Sequence, residues 1–268
     1  MIKDITIGQY IPGSSPFHRA DPRAKILITF LYMVVIFLIN SFWGMLMLAL
    51  FTGIAVALSA IPVKYVLKGL KPILVIVIFT TVINIFTTAG KPISDNWLLR
   101  HITYQGINMA VLLAVRLTLL ISGASLLTFT TTPILLTDGI EKLLNPFRKI
   151  GLPAHELAMM MTIALRFIPT LLEETDKIMK AQAARGADFD TGNLVQRAKS
   201  FVPVLVPLFV SAFRRADELA AAMEARCYRG SEGRTRLRQL KFGKVDVIMS
   251  IVMVLFTMGV LLLEYIQI

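Results

Sequence analysis

From Ile26 to Val63 the chain runs for 38 residues without a single charged side chain. At roughly 1.5 Å of rise per residue, a helix of that length is about twice the hydrocarbon thickness of a bilayer, so the run holds two spans. The polar pair Asn40 and Ser41 is the place to turn, and the second span ends near Ile61 and Pro62. Three further uncharged stretches follow, Pro72 to Gly90, Gly106 to about Thr131, and Val247 to Leu263, which brings the expected count to five. Gly90, Pro92, Ser94 and Asp95 close the third stretch and read as an external loop.

Composition agrees with this reading. The chain is 56% hydrophobic and 17% charged, with a mean hydropathy of +0.70, which excludes an ordinary cytosolic globular enzyme. A net charge of +11 on so apolar a chain points to basic loops on one membrane face rather than to nucleic acid. Four Lys and Arg precede residue 26 and three lie between Lys64 and Lys71, whereas none stands at Asn40 and two lie between Gly90 and Gln105. The positive-inside bias therefore places the N-terminus in the cytoplasm. No charged segment leads into a cleavable apolar core, so the chain is expected to be inserted in the cell membrane, not exported. Four crossings return it to the cytoplasm, and the fifth leaves the C-terminus outside. The expected fold is an all-α, multi-pass membrane protein with about five transmembrane helices and a large helical cytoplasmic domain inserted between spans four and five. Its parts are a cytoplasmic N-terminal segment (1–25), spans one to four (26–131), the insertion (132–244) and the last span (245–268).

The insertion is neither apolar throughout nor polar enough to be disordered. Ile134, Leu135, Ile140, Leu143, Leu144 and Phe147, with charged residues between them, make a short amphipathic helix over Pro133 to Lys149. From Ala154 to Arg185, polar residues recur every three or four positions, at Thr162, Arg166, Thr170, Glu173, Lys177 and Lys180, as one stripe of a long helix. Its first half is the more apolar, and Pro169 is expected to kink the junction. The same design returns in Phe201 to Arg226. At an offset of 41, Asp176 aligns with Asp217, Ala181 with Ala222, Ala184 with Ala225 and Arg185 with Arg226.

Both helices thus end in a small residue, an arginine and another small residue: Ala184, Arg185, Gly186 and Ala225, Arg226, Cys227. One such tip is explained by an arginine complementing a helix C-terminal dipole, with Gly186 as the cap. Two copies point further. A rigid helix ending in arginine flanked by small residues can push its guanidinium into a carboxylate-lined groove, and the copy number predicts two similar partner surfaces.

These features, with Asp21-Pro22-Arg23 followed by Lys25, resemble the transmembrane T-component (EcfT) family of energy-coupling factor transporters, ABC-class importers of vitamins and metal ions. The resemblance covers essentially the whole chain. It implies that the tips dock on two ATP-binding cassette subunits, one tip each, and that the apolar halves of the coupling helices hold a membrane-embedded substrate-binding S-component. The family would then transmit ATP-driven motion of the two ATPases to that component for micronutrient uptake. Met159, Met160, Ile163, Phe167, Val204 and Leu208 are the expected S-component contacts, since Met-rich surfaces adapt to several partners. Cys227 stands where the simplest family pattern has glycine, which leaves the cap of the second tip open but not the role of Arg226.

Other signals are weaker. Arg116 lies roughly 15 Å into the fourth span, with no acidic residue between Ala24 and Ser94 to pair with it, so it bonds to helix carbonyls or Asn84, lies in a wet crevice, or marks a site. His155 and Glu156 begin an H-E-x-x-M run that lacks the second histidine of a zinc hydrolase, and no metal site or cofactor is expected. The absence of a G-x-x-x-x-G-K-[ST] loop means that any ATP is bound by another chain. A single cysteine provides no disulfide framework. The basic residues from Arg229 to Lys244 suit anionic lipid headgroups. The alternatives to a non-catalytic coupling subunit are a self-sufficient permease, which would place polar groups, broken helices and repeat symmetry in the spans, and an intramembrane enzyme, which would need a catalytic constellation.

Overall fold

The computed structural model describes residues 10–91, 103–189, 193–230 and 240–267, and every regular element among them is helical. In chain order these are α1 (Pro16–Arg19), α2 (Pro22–Leu38), α3 (Phe42–Leu58), α4 (Val63–Thr87), α5 (Tyr104–Thr130), α6 (Pro133–Leu144), α7 (Ala154–Ala184), α8 (Leu194–Ala225) and α9 (Lys244–Gln267), with a 3₁₀ turn over Asn145–Ile150 after α6. The chain divides into two compact units. One comprises Gly8–Gly139 with Gln239–Ile268, and the other contains Ile140–Arg238. Of the expected loop and basic run, Pro92, Ser94, Asp95, Arg234, Arg236 and Arg238 lie outside the described residues.

Local chemistry sets the helix ends. Asp21 caps α2 by accepting the Arg23 backbone N–H, and Pro22 occupies the first helical position, where its missing N–H costs nothing. At Ile39 the backbone turns extended, and Ser41 caps α3 by accepting from the Gly44 N–H at 3.1 Å. The reversal therefore falls at Asn40 and Ser41, as the polar pair predicts. Thr103 caps α5 in the same way through Gly106.

Among the described residues, four helices are long and apolar enough to cross a membrane: α4, α5, α7 and α9. α2 and α3 have 17 residues each, roughly 25 Å of helix and at the short end of the spanning range. The membership of α7 differs from its expected place in the insertion. Its apolar stretch lies before Glu173, and the remainder carries Glu173, Glu174, Asp176, Lys177 and Lys180. A helix that segregates its charges to one end can reach membrane hydropathy over the other.

In the first unit, α2, α3, α5 and α9 close around Tyr32, Ile36, Leu48, Leu119, Met253 and Val260. Gly123 on α5 lets the Tyr32 ring lie against the helix backbone, since a Cβ there would run into the ring. α4 packs along α5 and leaves Leu74, Val75, Ile78 and Phe79 exposed. Lipid tails are as apolar as these side chains, so burial alone does not bind such helices together; close packing and polar ties do.

Two polar junctions supply those ties. At the start of α2, the Arg23 guanidinium forks onto Asp21, with Nε 3.0 Å from Oδ1 and Nη2 3.0 Å from Oδ2, and lies over the Phe242 ring. The Asp21 N–H donates to Asp246 Oδ1 at 2.6 Å, and Asp246 Oδ2 accepts the Gly243 N–H ahead of α9. Lys25 reaches the end of α5, donating to the Thr130 carbonyl at 3.0 Å and to Thr131 Oγ1 at 3.2 Å. The Asp-Pro-Arg segment thereby ties the beginnings of α2 and α9, and Lys25 adds the end of α5. At the other end of α2, Arg116 donates to the Ile39 carbonyl at 2.6 Å and to Asn40 Oδ1, not to Asn84, whose amide bonds to Thr80. Glu264 on α9 accepts the N–H groups of Asn40 and Ser41 and the Ser41 hydroxyl. Arg116 thus holds the carbonyl and Glu264 the amides of one turn.

Candidate coupling surface

In the second unit the two long helices α7 and α8 pack against each other. Glu174 Oε2 and Arg215 Nη2 form an ion pair at 2.6 Å. Arg215 holds the Glu174 carboxyl below the usual glutamate range, chiefly through this hydrogen bond. Gln182 Nε2 donates to the Pro203 carbonyl at 3.3 Å. Pro207 explains why that carbonyl is available, because proline has no N–H to return to the residue four positions earlier. Phe189 and Phe201 add a ring contact at 5.4 Å. As the α7 number rises from 174 to 182, the α8 partner falls from 215 to 203, so the helices run past each other in opposite directions. Their C-terminal tips lie on opposite sides of the contact.

The tips share one backbone geometry. At the first, the N–H groups of Gly186 and Ala187 donate to Ala183 and Gln182, and Gly186 has φ +89°. At the second, Cys227 and Tyr228 donate to Glu224 and Met223, and Cys227 has φ +54°. Each bond of one tip has its counterpart 41 residues on. Both form the Schellman closure, with the left-handed residue directly after the arginine. Cys227 therefore occupies the glycine position in full and answers the question its side chain raises, at the steric cost of placing a Cβ in the left-handed region. All six tip residues, Ala184, Arg185, Gly186, Ala225, Arg226 and Cys227, are exposed. Among the described residues, neither the Arg185 nor the Arg226 side chain has a hydrogen-bond or ion-pair partner. Small neighbours leave both guanidinium groups open to an incoming acceptor.

The cobalt transport protein family, CbiQ, matches residues 13–237, a stretch that contains the Asp-Pro-Arg junction and both tips. The energy-coupling factor transporter transmembrane protein EcfT of Ruminiclostridium cellulolyticum is 65% identical over 266 residues, covering 99% of each chain. The protein of the same name from Clostridium kluyveri is 60% identical over 94% of this chain and 93% of its own. That of Bacillus subtilis is 49% identical over 98% of each. The chain belongs to the EcfT family. It is thus a membrane component of an energy-coupling factor transporter, in keeping with its long apolar helices.

Within this EcfT-family chain, the expected S-component contacts fall on unequal surfaces. Met160 is exposed, Met159, Ile163, Phe167 and Leu208 are half-buried, and Val204 is 2% exposed. Val204 serves internal packing. Besides Met160, exposed apolar side chains on these helices include Leu157 and Met161 on α7 and Val202, Val206 and Phe209 on α8. Helical periodicity marked the apolar halves but not which apolar stripe each helix turns inward. His155 of the H-E-x-x-M run bonds through Nδ1 to Glu141 at 3.1 Å. Sequence reading missed the Glu174–Arg215 and Gln182–Pro203 contacts. The offset of 41 was the available signal for the first, since it also superimposes Glu174 on Arg215.

Proposed function

We propose that this chain is the coupling subunit of its transporter, carrying ATP-driven motion of two ABC-type ATPase subunits to a membrane-embedded S-component for uptake of a vitamin or metal ion. The single observation that carries the reading is the pair of geometrically equivalent, exposed tips with unpartnered arginines. Each guanidinium would fork onto acidic groups of one ATPase, where a bidentate contact fixes direction as well as attraction. Drawing the ATPases together would shift the tips and swing α7 and α8 about their shared contact. The apolar halves of the two helices would carry that motion to the S-component. In this reading the spans are α2, α3, α4, α5 and α9, with the N-terminus and the 132–244 domain cytoplasmic and the C-terminus outside. The charged second half of α7 supports its assignment to the coupling domain. ATP hydrolysis belongs to the partner chains.

The test is co-purification with the ATPases and ATP-dependent uptake in vesicles for wild type, Arg185→Glu, Arg226→Glu and the double variant. Each single change should weaken association and the double change should abolish it, while insertion and thermal stability persist. Retention of both association and uptake by the double variant would reduce the arginines to helix caps and sink the model of two docking tips.

A further inference from the structure

The membrane unit contains a feature that the coupling reading does not use. α3 and α9 meet where the Phe51 and Phe256 rings stack at 4.2 Å, and Glu264 binds Ser41 at the start of α3. Towards the Leu58 end of α3 and the Lys244 end of α9, a cavity of about 460 Å³ lies between them. Its floor is Tyr32, Gly123 and Leu126, and Phe17 and Lys25 stand at one end. The mouth residues Ile54, Leu58 and Ile248 are exposed, so the crevice opens sideways between the two helices.

Its chemistry is divided. Along the body the polar atoms are engaged except the Thr29 hydroxyl, with the Tyr32 hydroxyl bonded to Thr52 Oγ1 at 2.6 Å and to the Leu119 carbonyl, and Thr130 Oγ1 to the Leu126 carbonyl. Such a surface offers water few partners. At the end, the Lys25 ammonium is buried, with the residue only 5% exposed. It has three donors, of which Thr130 and Thr131 take two. Among the described residues no carboxylate lies within ion-pair distance of it. The nearby Asp21 is forked by Arg23, and Asp246 is bonded to two backbone N–H groups. Asp21 and Asp246 act on this ammonium through space without bonding to it, so its third donor stands open to an anion that reaches it. Exposed Arg19, Lys241 and Lys244 sit within a few residues of the same end of the crevice.

We infer that this crevice seats one anionic phospholipid, with an acyl chain between α3 and α9 over Tyr32 and Gly123 and the phosphate against the Lys25 ammonium. The lining suits it, since an apolar crevice runs between the two helices and ends at a buried ammonium. The membrane supplies the lipid, and the site is independent of the docking tips. It would wedge α3 and α9 at a fixed spacing at the end where Asp246 is tied to Asp21.

The full chain is reconstituted in nanodiscs of phosphatidylglycerol mixed equally with phosphatidylcholine, extracted in mild detergent, and its retained lipid counted by native mass spectrometry. Wild type should hold one lipid, phosphatidylglycerol, over phosphatidylcholine by about fivefold, the ~1 kcal/mol of one basic side chain near an anionic headgroup. Lys25→Met should hold either lipid equally. Ile248→Trp, at the exposed mouth where folding is not at risk, should lose the bound lipid while keeping its unfolding temperature. Retention unchanged in Ile248→Trp, or no preference for phosphatidylglycerol in wild type, would overturn the site.

Discussion

Glu174 and Arg215, joined at 2.6 Å, are 41 residues apart, the spacing that also separates the tip arginines Arg185 and Arg226. The two partners of this ion pair hold equivalent places in a duplicated helix, and each stands eleven residues before its own tip. That is roughly 16 Å of helix on either side. The pair thus lies midway between the two tips.

Removing the pair should affect geometry more than stability, because both side chains are about 30% exposed and solvent screens them. Glu174→Gln should broaden the distance distribution between spin labels placed next to the two tips and lower uptake, leaving the unfolding temperature nearly unchanged. The exchange Glu174→Arg with Arg215→Glu should restore both readings. A distribution as narrow in Glu174→Gln as in wild type removes the pair from the coupling path.

Cys227 stands in a left-handed conformation that glycine reaches without strain. Cys227→Gly should stabilise the second tip by about 0.5 kcal/mol, the relief of the left-handed strain exceeding the added entropy of the unfolded chain. Gly186→Ala should destabilise the first by about 1 kcal/mol. Thermal unfolding of the purified chain reads both signs, and a loss of stability in Cys227→Gly contradicts the cap assignment.

Asp21 is buried, which by itself would raise its carboxyl pKa, but the hydrogen bonds from Arg23 and the charges of Arg23 and Lys25 outweigh this and hold it below the usual carboxylate range. A group whose folded value lies below its unfolded one contributes stability that is complete above about pH 4 and is lost as pH falls through the folded value. Asp21→Asn should cost about 2 kcal/mol at neutral pH and flatten the acid limb of the stability profile. An acid limb identical to wild type assigns that limb to other carboxylates.

Arg116 satisfies the Ile39 carbonyl, and Glu264 the Asn40 and Ser41 amides. Arg116→Leu should leave the carbonyl without its partner and lower stability by about 1–3 kcal/mol. Uptake by the assembled transporter should then fall in maximal rate without a change in half-saturating substrate concentration. A shifted half-saturation would place Arg116 on a substrate route instead of at a turn.

Interactions close in the chain were legible because local chemistry makes them. The Asn40–Ser41 reversal and the Ala-Arg tips depend on neighbours a few residues away, and the offset of 41 between Arg185 and Arg226 is visible by inspection. The inward turn of Val204 was not, because both faces of an apolar helix half look alike until a neighbour covers one.

The sequence by itself determined that this chain builds long apolar helices, that the C-terminal halves of α7 and α8 are charged, and that an arginine stands at the end of each. Hydropathy and backbone capping are properties of short segments. Only the tertiary structure decided the partner of each polar side chain: Asp246 for the Asp21 amide 225 residues away, Glu264 for Ser41, Ile39 for Arg116 and Arg215 for Glu174. A charge announces in sequence that it needs a partner, but the packing of whole helices chooses it. Cys227 shows the same division, since its residue type argues against a left-handed cap and the hydrogen bonds of the surrounding turn impose one.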